Sequence, residues 1–148
     1  MGELTWAEVA ERFGAAQNWW VVTSGPSGPH AVPVWGVLAG GGLHFYGEAG
    51  ALRSRNLAAD PRLALHLESA SDVLVLNGTA SIGPPARQDV AVVAAYRAKY
   101  THPTDLPYLP DADAMEHVLL FTVTPVRAMA WSLDGATEWA ARRWRRED

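Results

Sequence analysis

The chain has 148 residues, a formal charge of −4 and no cysteine. The missing thiols exclude disulfides, thiolate catalysis, zinc fingers and iron–sulfur ligation, and the acidic balance argues against a nucleic-acid partner, which needs a cationic footprint. The length fits a single domain over 1–148. No apolar run approaches the ~20 residues that cross a bilayer, so no membrane partner and a soluble, cytoplasmic protein are expected.

Thr5-Trp6-Ala7-Glu8 has the capping-box pattern and predicts a helix over 6–16. WWVVTS, residues 19–24, is β-branched and aromatic and reads as a strand; GPSGP then turns the chain. HAVPVWGVLA, residues 30–39, reads as a second strand, with Pro33 demanding an edge or a bulge. Gly40, Gly41 and Gly42 turn into a third strand, Leu43 to Gly47.

A bend rich in Gly and Ala leads into Arg53-Ser54-Arg55-Asn56, at the start of a short possible helix that Asp60-Pro61 must stop. Strands follow at 62–69, where Leu63, Leu65 and Leu67 alternate, and at 73–82, where Gly78 predicts a bulge. Residues 86–100 are free of Gly and Pro and form the best helical pattern. Three prolines and three aspartates then make 101–114 a long loop. Two closing strands are expected at 116–124 and 126–132, split by Pro125. The tail after 134 carries Arg142, Arg143, Arg145 and Arg146 around Trp144 and reads as a solvated or partner-facing terminus. Six or seven strands with hairpin-length turns and two clear helices give a mainly β Greek-key barrel with flanking helices.

The motifs narrow the chemistry. Five histidines occur without i+2 or i+4 pairing and without HExxH, so no metal site is expected. GxSxG, GxGxxG and Walker patterns are absent, and nothing selects a catalytic acid, base or nucleophile. The arginine segment is the exception. Two guanidiniums, a hydroxyl and an amide sit in four residues at a helix start, chemistry that matches phosphate oxygens. Gly47 and Gly50 before it would let a ligand approach the backbone. On the residues alone, a phosphate cradle and a solvated turn both remain open.

The run PHAVPVWGVL…GGLHFYGEAGALRSRNLAADPRLALHLES…VLNGTASIGPP…AAYRAKY resembles the flavin-binding split β-barrels related to pyridoxamine 5′-phosphate oxidase, and within them the small flavin- and deazaflavin-dependent oxidoreductases. The resemblance covers about 5–132. It implies a homodimer with two cofactor sites at the interface, holding FMN or, alternatively, the deazaflavin coenzyme F-420. It also implies hydride transfer to or from a small organic substrate. By that resemblance the strand Ala31–Trp35, with Val32, Pro33, Val34 and Trp35, flanks the ring, and Tyr46 and Gly47 contact it. Arg53 then meets the phosphate, supported by Ser54, Arg55 and Asn56. Trp35, Tyr46, Tyr108 or Trp131 would wall the substrate side.

The chain departs from many relatives at Ala51, Leu52 and Arg53, where they carry Ser, Arg and Lys. It departs again at Ala136-Thr137-Glu138-Trp139, where some relatives have Arg in place of Glu138. The substrate-phosphate residues of true pyridoxamine-phosphate oxidases are not found, so vitamin B6 oxidation itself is not expected. The alternative from another class is a non-catalytic flavin-, haem- or apolar-ligand-binding protein of the same fold.

Overall fold

The computed structural model describes residues 3–133 and 141–148. The run Ala136, Thr137, Glu138, Trp139 lies outside them. Helix α1 (Trp6–Ala15) starts at the expected capping box: the Thr5 side chain accepts from the Glu8 N–H, and the Glu8 carboxylate accepts from the Thr5 N–H at 2.8 Å. The sheet is antiparallel throughout. Its strands are β1 (Trp19–Gly25), β2 (Gly28–Val34), β3 (Gly36–Ala39), β4 (Gly42–Gly47), β5 (Arg62–His66), β6 (Asp72–Pro85), β7 (Leu119–Ser132) and β8 (Arg142–Arg145). The order is β2-β1-β5-β6-β7-β4-β3, with β8 added beside the second half of β7. Helices α2 (Leu52–Ala59) and α3 (Val90–Lys99) follow β4 and β6, with short 3-10 turns at 86–88, 106–108 and 113–115.

Three sequence expectations are corrected here. The single strand over 30–39 is two strands at opposite ends of the sheet. The break falls at Trp35, and Gly36 opens β3 close under Trp19: a Cβ on Gly36 would lie 2.3 Å from the indole. Pro33 lies in β2, an edge strand, where a missing N–H is tolerated. The two closing strands are one 14-residue strand. A bulge between Asn77 and Gly78 brings Gly78 opposite Pro125 and absorbs the lost donor; a Cβ on Gly78 would come within 2.4 Å of the Thr124 carbonyl. The arginine-rich terminus is not merely solvated, since it forms β8.

The curled sheet has a core on each side. Inside, Trp19, Val21, Phe45, Leu65, Leu76 and Phe121 pack with Val9 and Phe13 of α1 and Leu57 of α2. Outside β3 and β4, Val37, Leu120 and Val118 pack with Val92, Tyr96 and Tyr100 of α3 and its following loop. Lys99 ties these parts together: its half-buried amine donates to the Gly36 carbonyl at 2.5 Å and to the Phe13 carbonyl at 3.5 Å.

Candidate functional site

Strand β4 delivers the site. Its alternation turns Phe45 and Gly47 inward and Tyr46 toward α3, where the ring meets Tyr96 edge-on at 5.1 Å. Tyr46 donates its hydroxyl proton to the Tyr108 carbonyl at 2.5 Å, and burial raises its pKa to about 12 against the opposing pull of Arg53. At the end of the strand the chain bends through Glu48 and Gly50 and enters α2, whose N-cap, Ala51, offers no side-chain acceptor.

A cleft of about 340 Å³ opens at this junction, lined by Tyr46, Gly47, Glu48, Ala51, Arg53, Met115 and Val118. Arg53 lies across it. Its guanidinium passes so close to Gly47 that a Cβ there would stand 2.6 Å from Nη2. The Arg53 Nε is buried and has no hydrogen-bond partner among the described residues, and the same holds for the Ser54 hydroxyl beside it. Burial lowers the Arg53 pKa, partly offset by the Glu48 carboxylate. A buried, charged donor left unsatisfied costs ~1–3 kcal/mol or more, so its retention needs a reason.

The four residues of the arginine segment part company on the helix. Arg53 lines the cleft, and Ser54 is buried. Arg55 is exposed. Asn56 points into the sheet: it is 3% exposed, and its Nδ2 donates to Thr23 Oγ1 of β1 at 3.1 Å, which packs α2 on the sheet. Gly25 gives Asn56 its room, since a Cβ there would sit 2.1 Å from Oδ1.

The strand that was expected to flank a ring splits likewise. Val32, Pro33 and Val34 lie on β2, which pairs with β1 on one side and, among the described residues, has no partner strand on the other. They do not line the cleft. Trp35 leaves the sheet, stacks on Tyr100 at 4.5 Å and 12°, and accepts a 2.7 Å hydrogen bond on its carbonyl from Tyr96. Tyr46 and Tyr108 are joined, whereas Trp131 lies opposite Val73 on the far half of β7. Glu48, Met115 and Val118 were missed by sequence reasoning. Glu48 follows β4 directly, Met115 lies just past the loop expected over 101–114, and Val118 falls in the strand expected from 116, which begins instead at Leu119. Among the described residues, no group of three or more His, Asp or Glu is placed to hold a metal.

Comparison with known proteins fits this geometry. The fold is a split β-barrel, an incomplete antiparallel barrel with flanking helices. The family model described as "Pyridoxamine 5'-phosphate oxidase" matches residues 5–130, and the chain belongs to that family. Similar solved structures include a conserved hypothetical protein, Rv2991, from Mycobacterium tuberculosis, at 20% identity over 93% of this chain and 91% of that one, with TM-score 0.70. A protein titled F420 reductase has 20% identity over 80% and 94%, with TM-score 0.58. A heme binding protein from Mycobacterium smegmatis has 22% identity over 95% and 59%, with TM-score 0.65. A search of curated proteins finds no match.

Proposed function

We propose that this chain is a homodimeric oxidoreductase that binds FMN or a deazaflavin such as coenzyme F-420 and passes hydride to or from a small organic substrate. One observation carries the reading: the buried Arg53 Nε, without a partner among the described residues, lying in a cleft that Gly47 keeps open. That donor set suits a phosphate. Arg53 would bind it, with the Ser54 hydroxyl beneath and Arg55 as a second cation near the helix start. The uncapped N-terminus of α2 favours negative charge at the same place. Val32, Pro33 and Val34 would offer the free edge of β2 to the ring. Trp35 and Tyr46, fixed by Tyr96 and Tyr100, would exclude water from one side. Asn56 would contribute by holding α2 in place. When bound, the cofactor would supply the hydride chemistry.

A homodimer needs a face, and the outer surface of the sheet offers one. Cross-strand pairing sets Trp20, His66, Val75 and Met129 in one row, with Val73 and Trp131 beside it, all half-buried rather than covered.

The resemblance to a protein titled heme binding protein favours one second reading, a non-catalytic binder of flavin, haem or an apolar ligand. An absorption spectrum of the purified chain, followed by titration with FMN and with the deazaflavin, tests the proposal. Binding at micromolar levels supports it; a Soret band, or failure to bind either cofactor, contradicts it. Stopped-flow reduction and reoxidation of the bound cofactor then separates an enzyme from a store.

A further inference from the structure

A carboxylate stands where an anion is to bind. Glu48 follows β4 directly and lines the same cleft as Arg53. Burial lowers the Arg53 pKa and the Glu48 charge opposes that, so the two groups sense each other. Glu48 does not satisfy the guanidinium. Its Oε1 pairs with His117 Nε2 at 3.4 Å, and the Arg53 Nε has no partner among the described residues.

The charges around the cleft nearly cancel. Among the described residues lining it, Arg53 carries the one positive charge and Glu48 the one negative charge. Tyr46 stays neutral, its pKa raised to about 12 by burial. Arg55 is exposed and outside the lining, and Glu116, next to His117, faces Arg87 at 4.0 Å. The start of α2 adds only a fraction of a charge. A second negative charge on the ligand would therefore meet repulsion from Glu48 that offsets much of its attraction to Arg53. Its desolvation cost still rises steeply with charge, so the balance favours a singly charged phosphate. Ala51, Met115 and Val118 carry no charge, and a lining of that kind also accommodates the carbon of a second ester arm.

We propose that Glu48 makes this cleft selective for a phosphate diester, with one negative charge, over a doubly charged monoester, which rests on Arg53 being the phosphate seat. FMN carries a monoester and coenzyme F-420 a diester, so the deazaflavin is the favoured cofactor. FMN and its phosphate methyl ester share one ring and differ in that charge, which makes them the probes. Fluorescence titration of the full chain at pH 8 is expected to show the methyl ester binding about threefold tighter or more. At pH 5, where a phosphate monoester keeps a single charge, the two should agree within about twofold. Glu48→Gln should lower the pH 8 preference about threefold and Glu48→Lys about tenfold, for one and two units of charge in a solvated site. Glu11→Gln, exposed on α1, should leave it unchanged. Each readout is a ratio within one protein, so a change in stability alone does not move it. Three results would overturn the proposal: FMN binding as tightly as its methyl ester at pH 8, a preference that both Glu48 variants leave unchanged, or an equal shift in Glu11→Gln. If Arg53→Ala still weakens both probes in those cases, the phosphate seat stands and only the selectivity falls. Failure of both probes to bind overturns the selectivity too, and the seat with it if coenzyme F-420 also fails to bind.

Discussion

Gly47 and Arg53 are one device made of two residues, because the missing side chain of the first gives the guanidinium of the second its place. Gly47→Ala puts a Cβ 2.6 Å from Nη2 and must push Arg53 aside. The expected outcome is about tenfold or greater loss of flavin affinity, the equivalent of one charge-assisted hydrogen bond, with a much smaller shift in thermal midpoint; unchanged affinity would count against the cradle. Asn56→Ala should behave in the opposite way. It removes the Nδ2–H donor that the buried Thr23 hydroxyl accepts, so urea unfolding should show a loss of ~1–3 kcal/mol. The sequence made the tetrapeptide legible as polar chemistry at a helix start. It could not say that helical rotation sends Asn56 inward and leaves Arg55 outside, because that depends on which face of α2 meets β1.

At the scale of elements, the capping box of α1, the glycine turn before β4 and the bulge at Gly78 could be read directly, since each is a local rule of backbone chemistry. The break at Trp35, the continuity of β7 through Pro125 and the pairing of β8 could not, because each is decided by a distant partner: Tyr100 and Tyr96, the Gly78 bulge, and α1 with β7. Helix α3 adds a pH dependence. Burial lowers the Lys99 pKa to about 8 from an ordinary 10.5, so the unfolded chain holds the proton more tightly. Stability should therefore rise as pH climbs from about 8 toward 10. Above that the buried tyrosines Tyr46, Tyr96 and Tyr100, whose pKa values are raised, work in the reverse direction, since the unfolded chain ionises first. Chemical denaturation across this range should show the rise in the parent and a flat profile in Lys99→Met. A rise of equal size in the variant would assign it elsewhere.

At the scale of the whole molecule, the curled sheet leaves β2 and β3 as edges among the described residues, and an outer face on which Trp20 stacks with His66 at 6.1 Å and 4°. Dimerisation over that face would account for its apolar row. Sedimentation should give twice the 16.0 kDa chain mass for the parent, and Val75→Glu should shift it to the monomer while circular dichroism stays unchanged. A parent that sediments as a monomer at all accessible concentrations would exclude the interface. The family was legible from motifs spread over most of the chain. The cleft was legible only in part, because tertiary packing decides whether Met115 and Val118, just before β7, fold back beside Tyr46 and Arg53.

The central claim is that Arg53 exists to hold a cofactor phosphate. Its most direct test is a fluorescence titration of FMN and of the deazaflavin into the parent and into Arg53→Ala, with thermal melts alongside. The account predicts micromolar binding of one cofactor by the parent. In the variant it predicts a loss of about tenfold to a hundredfold, as expected for removing one charge-assisted contact of ~1.5–3 kcal/mol, with the melting temperature equal or higher, since a buried unsatisfied donor has been removed. Equal affinity in the two proteins, or affinity lost only in step with the fold, would contradict it.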